Sequence, residues 1–193
     1  MTTFNSPIRM LGIAGSLRAR SFNRALLRAA IELAPAGVEI ATYDELGALP
    51  FYDGDVETAG DPVAVRRLRE AVAGADAILV VTPEYNDGTS AVLKNAIDWA
   101  SRPPHRSIAG KPAAVLGASV TPSGARGGIE SVKRSLRRAG TEVIDEQVAI
   151  PSAADVFDAD LNLTDPLIRA EVAGLVATLA ERVRSGAVVK VAA

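Results

Sequence analysis

An α/β fold, a three-layer sandwich with a parallel sheet between helices on both faces, is what this chain of 193 residues predicts. Three observations lead there. Apolar runs alternate with segments of helical periodicity, the order that right-handed βαβ crossovers produce. The run Ala77-Ile78-Leu79-Val80-Val81 is apolar throughout, as a strand covered on both faces must be, and is the candidate for the sheet's centre. Polar, glycine-bearing turns follow three of the strands, at 15–22, 83–90 and 119–127, and in a parallel sheet such turns gather at one edge.

Each element has its own signal. Ile8 to Ala14 is a short apolar run, the first strand. A helix follows from about Ser21, with Phe22, Leu26, Ala30 and Leu33 on one face, and Pro35 with Gly37 stops it. Val38 to Thr42 alternates as the second strand. Tyr43 to Gly60 then reads as a long connection carrying Leu49-Pro50-Phe51-Tyr52-Asp53, either a surface loop pinned by its aromatics or a ligand wall. Asp61-Pro62 offers an N-cap and a first-turn proline for a helix with Val65, Leu68 and Val72 inward, and Gly74 is placed to end it in a left-handed cap. The next helix starts at Ala91 and turns Leu93, Ala96, Ile97 and Ala100 inward, leaving Trp99 off that face, partly buried or against a second subunit. Ala113 to Ala118 is the fourth strand, and a helix with Ile129, Val132 and Leu136 inward stops at Gly140. Glu142 to Ile150 is the fifth strand. Asp155 to Thr164 is an acidic loop, and Asp165-Pro166 repeats the start signal for a last helix with Leu175, Val176, Leu179 and Val183 on its face.

The stretch from Gly12 to Asn23 has the chemistry of a phosphate cradle. Small residues end a strand, and the next helix aims free N–H groups at the space beyond it. Ser16, Ser21 and Asn23 add neutral donors, Arg18 adds a cationic fork, and the stretch holds no carboxylate. A plain glycine–serine turn with stray arginines is the competing reading. The third glycine of a dinucleotide fingerprint is missing, Leu17, Arg18 and Ala19 following Gly15, and no lysine is present for a P-loop. The other arginines, at 20, 24 and 28, read as a solvated helix face.

Composition narrows the function. At 48% hydrophobic and 23% charged, residues 1–193 fit one soluble domain. A net charge of −2 argues against nucleic acid as the partner. Without cysteine there are no disulfides, thiolate nucleophiles or cysteine-held metals, and an imidazole metal site or a Ser-His-Asp triad would have to use His105 alone, among prolines in a loop, where a plain loop residue is the simpler reading. No metal and no catalytic side chain is therefore expected. Met1 to Pro7 lacks a signal-peptide pattern and no apolar run reaches membrane-spanning length, so the expectation is a cytoplasmic protein with no membrane partner.

Gly15-Ser16-Leu17-Arg18 with Ser21-Phe22-Asn23, then Thr82-Pro83-Glu84-Tyr85-Asn86, then Leu93-Lys94-Asn95-Ala96-Ile97-Asp98-Trp99, together resemble the NAD(P)H-dependent FMN reductases, flavodoxin-like proteins that include bacterial quinone, chromate and azo-dye reductases. The likeness runs from Ile8 to about Gly140. It implies a five-stranded sheet of order 2-1-3-4-5, bound FMN, NADPH or NADH as co-substrate, and homodimers or homotetramers. It implies that Ser16, Arg18, Ser21 and Asn23 hold the FMN phosphate with the backbone at Phe22, that Pro83, Glu84, Tyr85 and Asn86 border the isoalloxazine ring, and that Ser119 approaches it from the third loop. After Asn86 the sequence departs from the family pattern, with Asp87-Gly88-Thr89-Ser90-Ala91 in place of an aromatic and a Ser-x-Pro-Gly turn. The expected chemistry is ping-pong hydride transfer through the flavin to a small acceptor: a quinone, free flavin or azo compound. The alternatives are an FMN electron carrier that ignores nicotinamide, and a scaffold that has lost flavin.

Overall fold

The structure, a computed structural model, describes residues 6–191. Most of Met1–Pro7 therefore lies outside the described residues. Five parallel strands form one sheet, β1 (Ile8–Ala14), β2 (Val38–Thr42), β3 (Ala77–Thr82), β4 (Pro112–Ala118) and β5 (Glu142–Ile150), in the order β2-β1-β3-β4-β5. The apolar run at 77–81 is the central strand, and every residue of β3 is buried. Order and class are those expected.

Strand alternation sorts the core into two layers. Met10, Leu79, Val81, Leu116 and Val148 face α1 (Phe22–Glu32) and the long α7 (Pro166–Val191), through Leu26, Ala30, Leu175 and Leu179. Leu11, Ile13, Ile78, Val80 and Val115 face α3 (Val63–Gly74), α4 (Ala91–Ser101) and α5 (Arg126–Arg138). Burial of this apolar surface is the main stabilising contribution. Two short helices were not expected: α2 (Gly54–Ala59) lies inside the connection at 43–60, and α6 (Ala153–Val156) overlaps the start of the acidic loop at 155–164. Among the described residues no helix is long and apolar enough to cross a membrane.

Several local expectations need correction. Asp61 does not cap α3: Pro62 occupies the N-cap, and the Asp61 carboxylate is drawn away to pair with the buried Arg69. Gly74 is the last helical residue, followed by the extended Ala75, rather than a left-handed cap. Asp165 behaves as its sequence suggests, its Oδ1 accepting from the N–H groups of Leu167 and Ile168 at 2.9 Å. Trp99 is completely buried, because residues 43–62 fold over the outer side of α4. Arg20 and Arg28 are not a free solvated face, since they donate to the carbonyls of Ala159 and Leu161 and tie the acidic loop to α1.

Candidate functional site

The turns after β1, β3 and β4 meet at the C-terminal edge of the sheet, where strand order reverses between β1 and β3. In the first turn Gly15 donates to the Val81 carbonyl at 2.8 Å. A Cβ there would lie 2.2 Å from the Leu93 side chain, so this glycine serves the packing of the turn on α4. The polar part of the turn lies beyond it. Ser16 and Ser21 are buried, while Leu17 and Arg18 are exposed. Ser21 caps α1, its Oγ accepting from Arg24 N–H at 3.4 Å. Its own proton remains available. Among the described residues the N–H groups of Phe22 and Asn23 have no acceptor, and Arg18 has no ion-pair or hydrogen-bond partner. Donors without acceptors, a helix N-terminus and one unpaired guanidinium make a fit for a phosphate.

Asn23 is placed differently from the expectation. Its Nδ2 donates to the Ala118 carbonyl and its Oδ1 accepts from the Ala118 N–H, both at 2.9 Å. The amide is a clamp between the start of α1 and the end of β4. It holds the first and third turns together, and the Asn23 backbone N–H is what remains for a ligand. The Phe22 ring packs against Phe157, with centroids 5.4 Å apart, and fixes the helix start from the other side.

The second turn is a tight hairpin. Tyr85 and Gly88 exchange both main-chain hydrogen bonds, and Asn86 and Asp87 both have positive φ, 50° and 59°. That is the two-residue turn in which both central residues are left-handed, and Asn and Asp tolerate it. The Asp87-Gly88 departure thus has a backbone reason. Pro83 is buried, Asn86 is exposed, and Tyr85 is 52% exposed at the hairpin base. With Leu17 and Val120 it gives each of the three turns one exposed large apolar side chain. Sequence periodicity does not reveal this trio, because the residues are far apart in the chain.

The Glu84 carboxylate faces α5. Its Oε1 accepts from Ser123 Oγ at 2.8 Å and its Oε2 from the N–H groups of Gly127 at 2.6 Å and Gly128 at 3.2 Å. Ala125, at the helix start, supplies no side-chain cap, so a carboxylate from the second turn does so. Burial pushes the Glu84 carboxyl up, but the hydrogen bonds from Ser123, Gly128 and Gly127 outweigh it and hold the group below its ordinary range. Glu84 stands in the second turn, where the sequence places it, with its charge turned toward the start of α5. A Cβ on Gly128 would come within 2.5 Å of the Pro83 carbonyl, so the glycines of Arg126-Gly127-Gly128 permit this close approach. Ser119, half-buried at the end of β4, hydrogen-bonds Thr121 through its Oγ.

The profile of the NADPH-dependent FMN reductases matches residues 8–155, which contain all three turns. The chain belongs to this family. It is 45% identical over 163 residues to an NAD(P)H-dependent FMN reductase of Pseudomonas aeruginosa, covering 84% of this chain and 88% of the relative. A quinone reductase of Pseudomonas putida is 41% identical over 155 residues, covering 79% and 83%. Among solved structures, the flavoenzyme NAD(P)H:(acceptor) oxidoreductase FerB of Paracoccus denitrificans superposes with a TM-score of 0.84 at 33% identity, covering 92% of this chain and 98% of that one.

In this FMN reductase family member the connection after β2, on sequence a pinned surface loop or a ligand wall, contains regular structure. Residues 43–62 contain a 3₁₀ turn at Leu46–Ala48 and the helix α2, capped by Asp53. The Pro50 carbonyl accepts from Trp99 Nε1 at 2.8 Å and Asn95 Nδ2 at 2.9 Å, and Asn95 Oδ1 accepts from Tyr52 N–H at 2.8 Å. Phe51, between those fixed residues, is 79% exposed. The available signal was Asp53-Gly54 ahead of Asp55 and Glu57, an N-cap followed by first-turn acids.

Proposed function

We propose that the crevice over the three turns binds FMN, with the phosphate on the first turn of α1 and the ring across the second and third turns. By family the protein is an oxidoreductase that uses FMN with NADPH or NADH. The observation that carries the placement is the set of donors without acceptors on the first turn and the start of α1: the Phe22 and Asn23 N–H groups, the Ser21 hydroxyl, and Arg18 without a carboxylate among the described residues. Ser16, buried in the same turn, would add a hydroxyl to the cradle. When bound, FMN accepts and releases hydride, which explains why the site needs no nucleophile. Tyr85, Leu17 and Val120 offer an apolar rim for a flat ring and its exchange partner, and the Asn86 side chain stands at its edge. The quinone reductase relatives support a quinone as the electron acceptor.

We also propose that residues 1–193 act as one domain in the cytoplasm and assemble as homodimers or homotetramers. The groove of about 520 Å³ between α4 and α5 supports the assembly: Arg102, Arg106, Arg134 and Arg138 line it, while Asp53 and Asp55 stand exposed on a neighbouring segment. Cationic groove and acidic segment on one chain suit a self-complementary two-fold contact. Light scattering should give a dimer or tetramer, and Arg134→Glu with Arg138→Glu should shift it to monomer.

Anaerobic mixing of the yellow protein with NADPH or NADH tests the activity. The flavin band should bleach within seconds and recover on adding a quinone. Yellow protein that does not bleach would point to an electron carrier instead, and colourless protein that takes up no FMN would remove the flavin reading.

A further inference from the structure

A file of hydroxyl groups runs from the end of β4 to Glu84. Ser119 Oγ lies 2.8 Å from Thr121 Oγ1, Thr121 Oγ1 lies 2.8 Å from Ser123 Oγ, and Ser123 Oγ donates to Glu84 Oε1 at 2.8 Å. Each hydroxyl owns one proton, and each of the three contacts uses one. Glu84 sets the direction. Its carboxylate already takes two main-chain N–H groups at the start of α5 and has no proton to offer, so Ser123 must donate to it. Ser123 can then only accept from Thr121, and Thr121 can only accept from Ser119. The Ser119 proton is committed to the file. Of the two Ser119 lone pairs, one receives the Thr121 N–H at 3.2 Å. One lone pair is left.

We infer that Ser119 presents to the crevice a hydrogen-bond acceptor and not a donor, with Glu84 as the positioning residue that fixes this polarity. The inference rests on the flavin placement proposed above. The polar edge of an isoalloxazine ring carries both C=O and N–H groups, so a locked acceptor selects an N–H of the ring and rejects a carbonyl at that point. Ser119 thereby sets which way the ring edge meets the third turn, and Glu84 does so without touching the ligand.

Glu84→Gln tests this because it preserves shape and removes the constraint that fixes the direction of the file. The carboxamide oxygen stays on the Gly127 and Gly128 N–H groups, and its NH₂ donates to Ser123. Ser123 no longer has to spend its proton on residue 84 and can donate to Thr121, so the file loses its fixed direction and the Ser119 proton is free to turn into the crevice. FMN affinity by fluorescence titration and the midpoint potential of the FMN-loaded protein are measured for the parent, Glu84→Gln, Ser119→Ala and the double variant. We expect Glu84→Gln to weaken FMN binding on the order of tenfold, since a polar group loses its partner. Where the effect falls on the reduced form it becomes about 30 mV of midpoint potential for a two-electron couple. In the Ser119→Ala background Glu84→Gln should add nothing. Ser123→Ala, which keeps the carboxylate on α5 and cuts the file, should give a smaller loss that also vanishes in that background. Glu84→Gln without effect on affinity or potential, or an effect that persists undiminished without Ser119, overturns the inference. A parent that takes up no FMN overturns the flavin placement and this inference together, whereas a yellow parent with unchanged variants overturns this inference alone.

Discussion

Tyr43 is buried beneath the segment that follows β2, and among the described residues its hydroxyl has no hydrogen-bond partner. Burial, with Glu45 nearby, pushes its pKa up to about 12 from 10.0, against a smaller opposing pull from Arg67. The unfolded chain thus releases this proton at lower pH than the folded one, so stability is full below pH 10 and declines as pH rises toward 12. Tyr43→Phe should remove that alkaline loss and raise stability at neutral pH by about 1 kcal/mol, measured by urea unfolding at pH 7 and pH 11. Glu84 has the opposite sign. Its depressed pKa means a contribution present above the ordinary glutamate range and lost as pH falls through the folded-state value. The stability advantage of the parent over Glu84→Gln should therefore be present at neutral pH and shrink in acid.

Among the elements, two Asp-Pro starts with the same sequence logic have different fates. Asp165 caps α7, and Asp165→Ala should cost about 1 kcal/mol. Asp61 instead joins Glu57 in pairing Arg69, which is buried beside the Trp99 carbonyl. Asp61→Ala should cost more, about 3 kcal/mol, because it strips a partner from a buried guanidinium. Comparison of the two urea midpoints decides it. Gly128→Ala should damage the joint between the second turn and α5, lowering both melting temperature and FMN affinity, since the added Cβ would meet the Pro83 carbonyl. The strands and helices were legible because their apolar periodicity is local and faces one sheet. Trp99 lies off the sheet-facing side of α4 as its spacing predicts, but its complete burial is not legible for the complementary reason: helical spacing sees only the sheet side of α4, and it is residues 43–62 that cover the other side. No local pattern in the chain announces that cover.

At the scale of the whole molecule, the order β2-β1-β3-β4-β5 brings three turns distant in sequence to one edge. The candidate site was legible to that extent, as polar turns after strand ends. Which side chains face the crevice was not. Asn23 looks like a donor for a ligand and is spent on Ala118, 95 residues away, and Glu84 looks like a wall of the site and caps α5. Long-range pairing decides both. The residues left free after that pairing, Arg18 above all, carry the central claim that the first turn of α1 reads a phosphate. Calorimetric titration with FMN and with riboflavin, which lacks the phosphate, tests it in the parent and in Arg18→Ala. Hydrogen bonds to a charged group at roughly 1.5–3 kcal/mol each predict that the parent prefers FMN by at least about a hundredfold, and that Arg18→Ala loses about tenfold or more of that preference. Equal affinity for riboflavin in the parent, or an undiminished preference in Arg18→Ala, would contradict it.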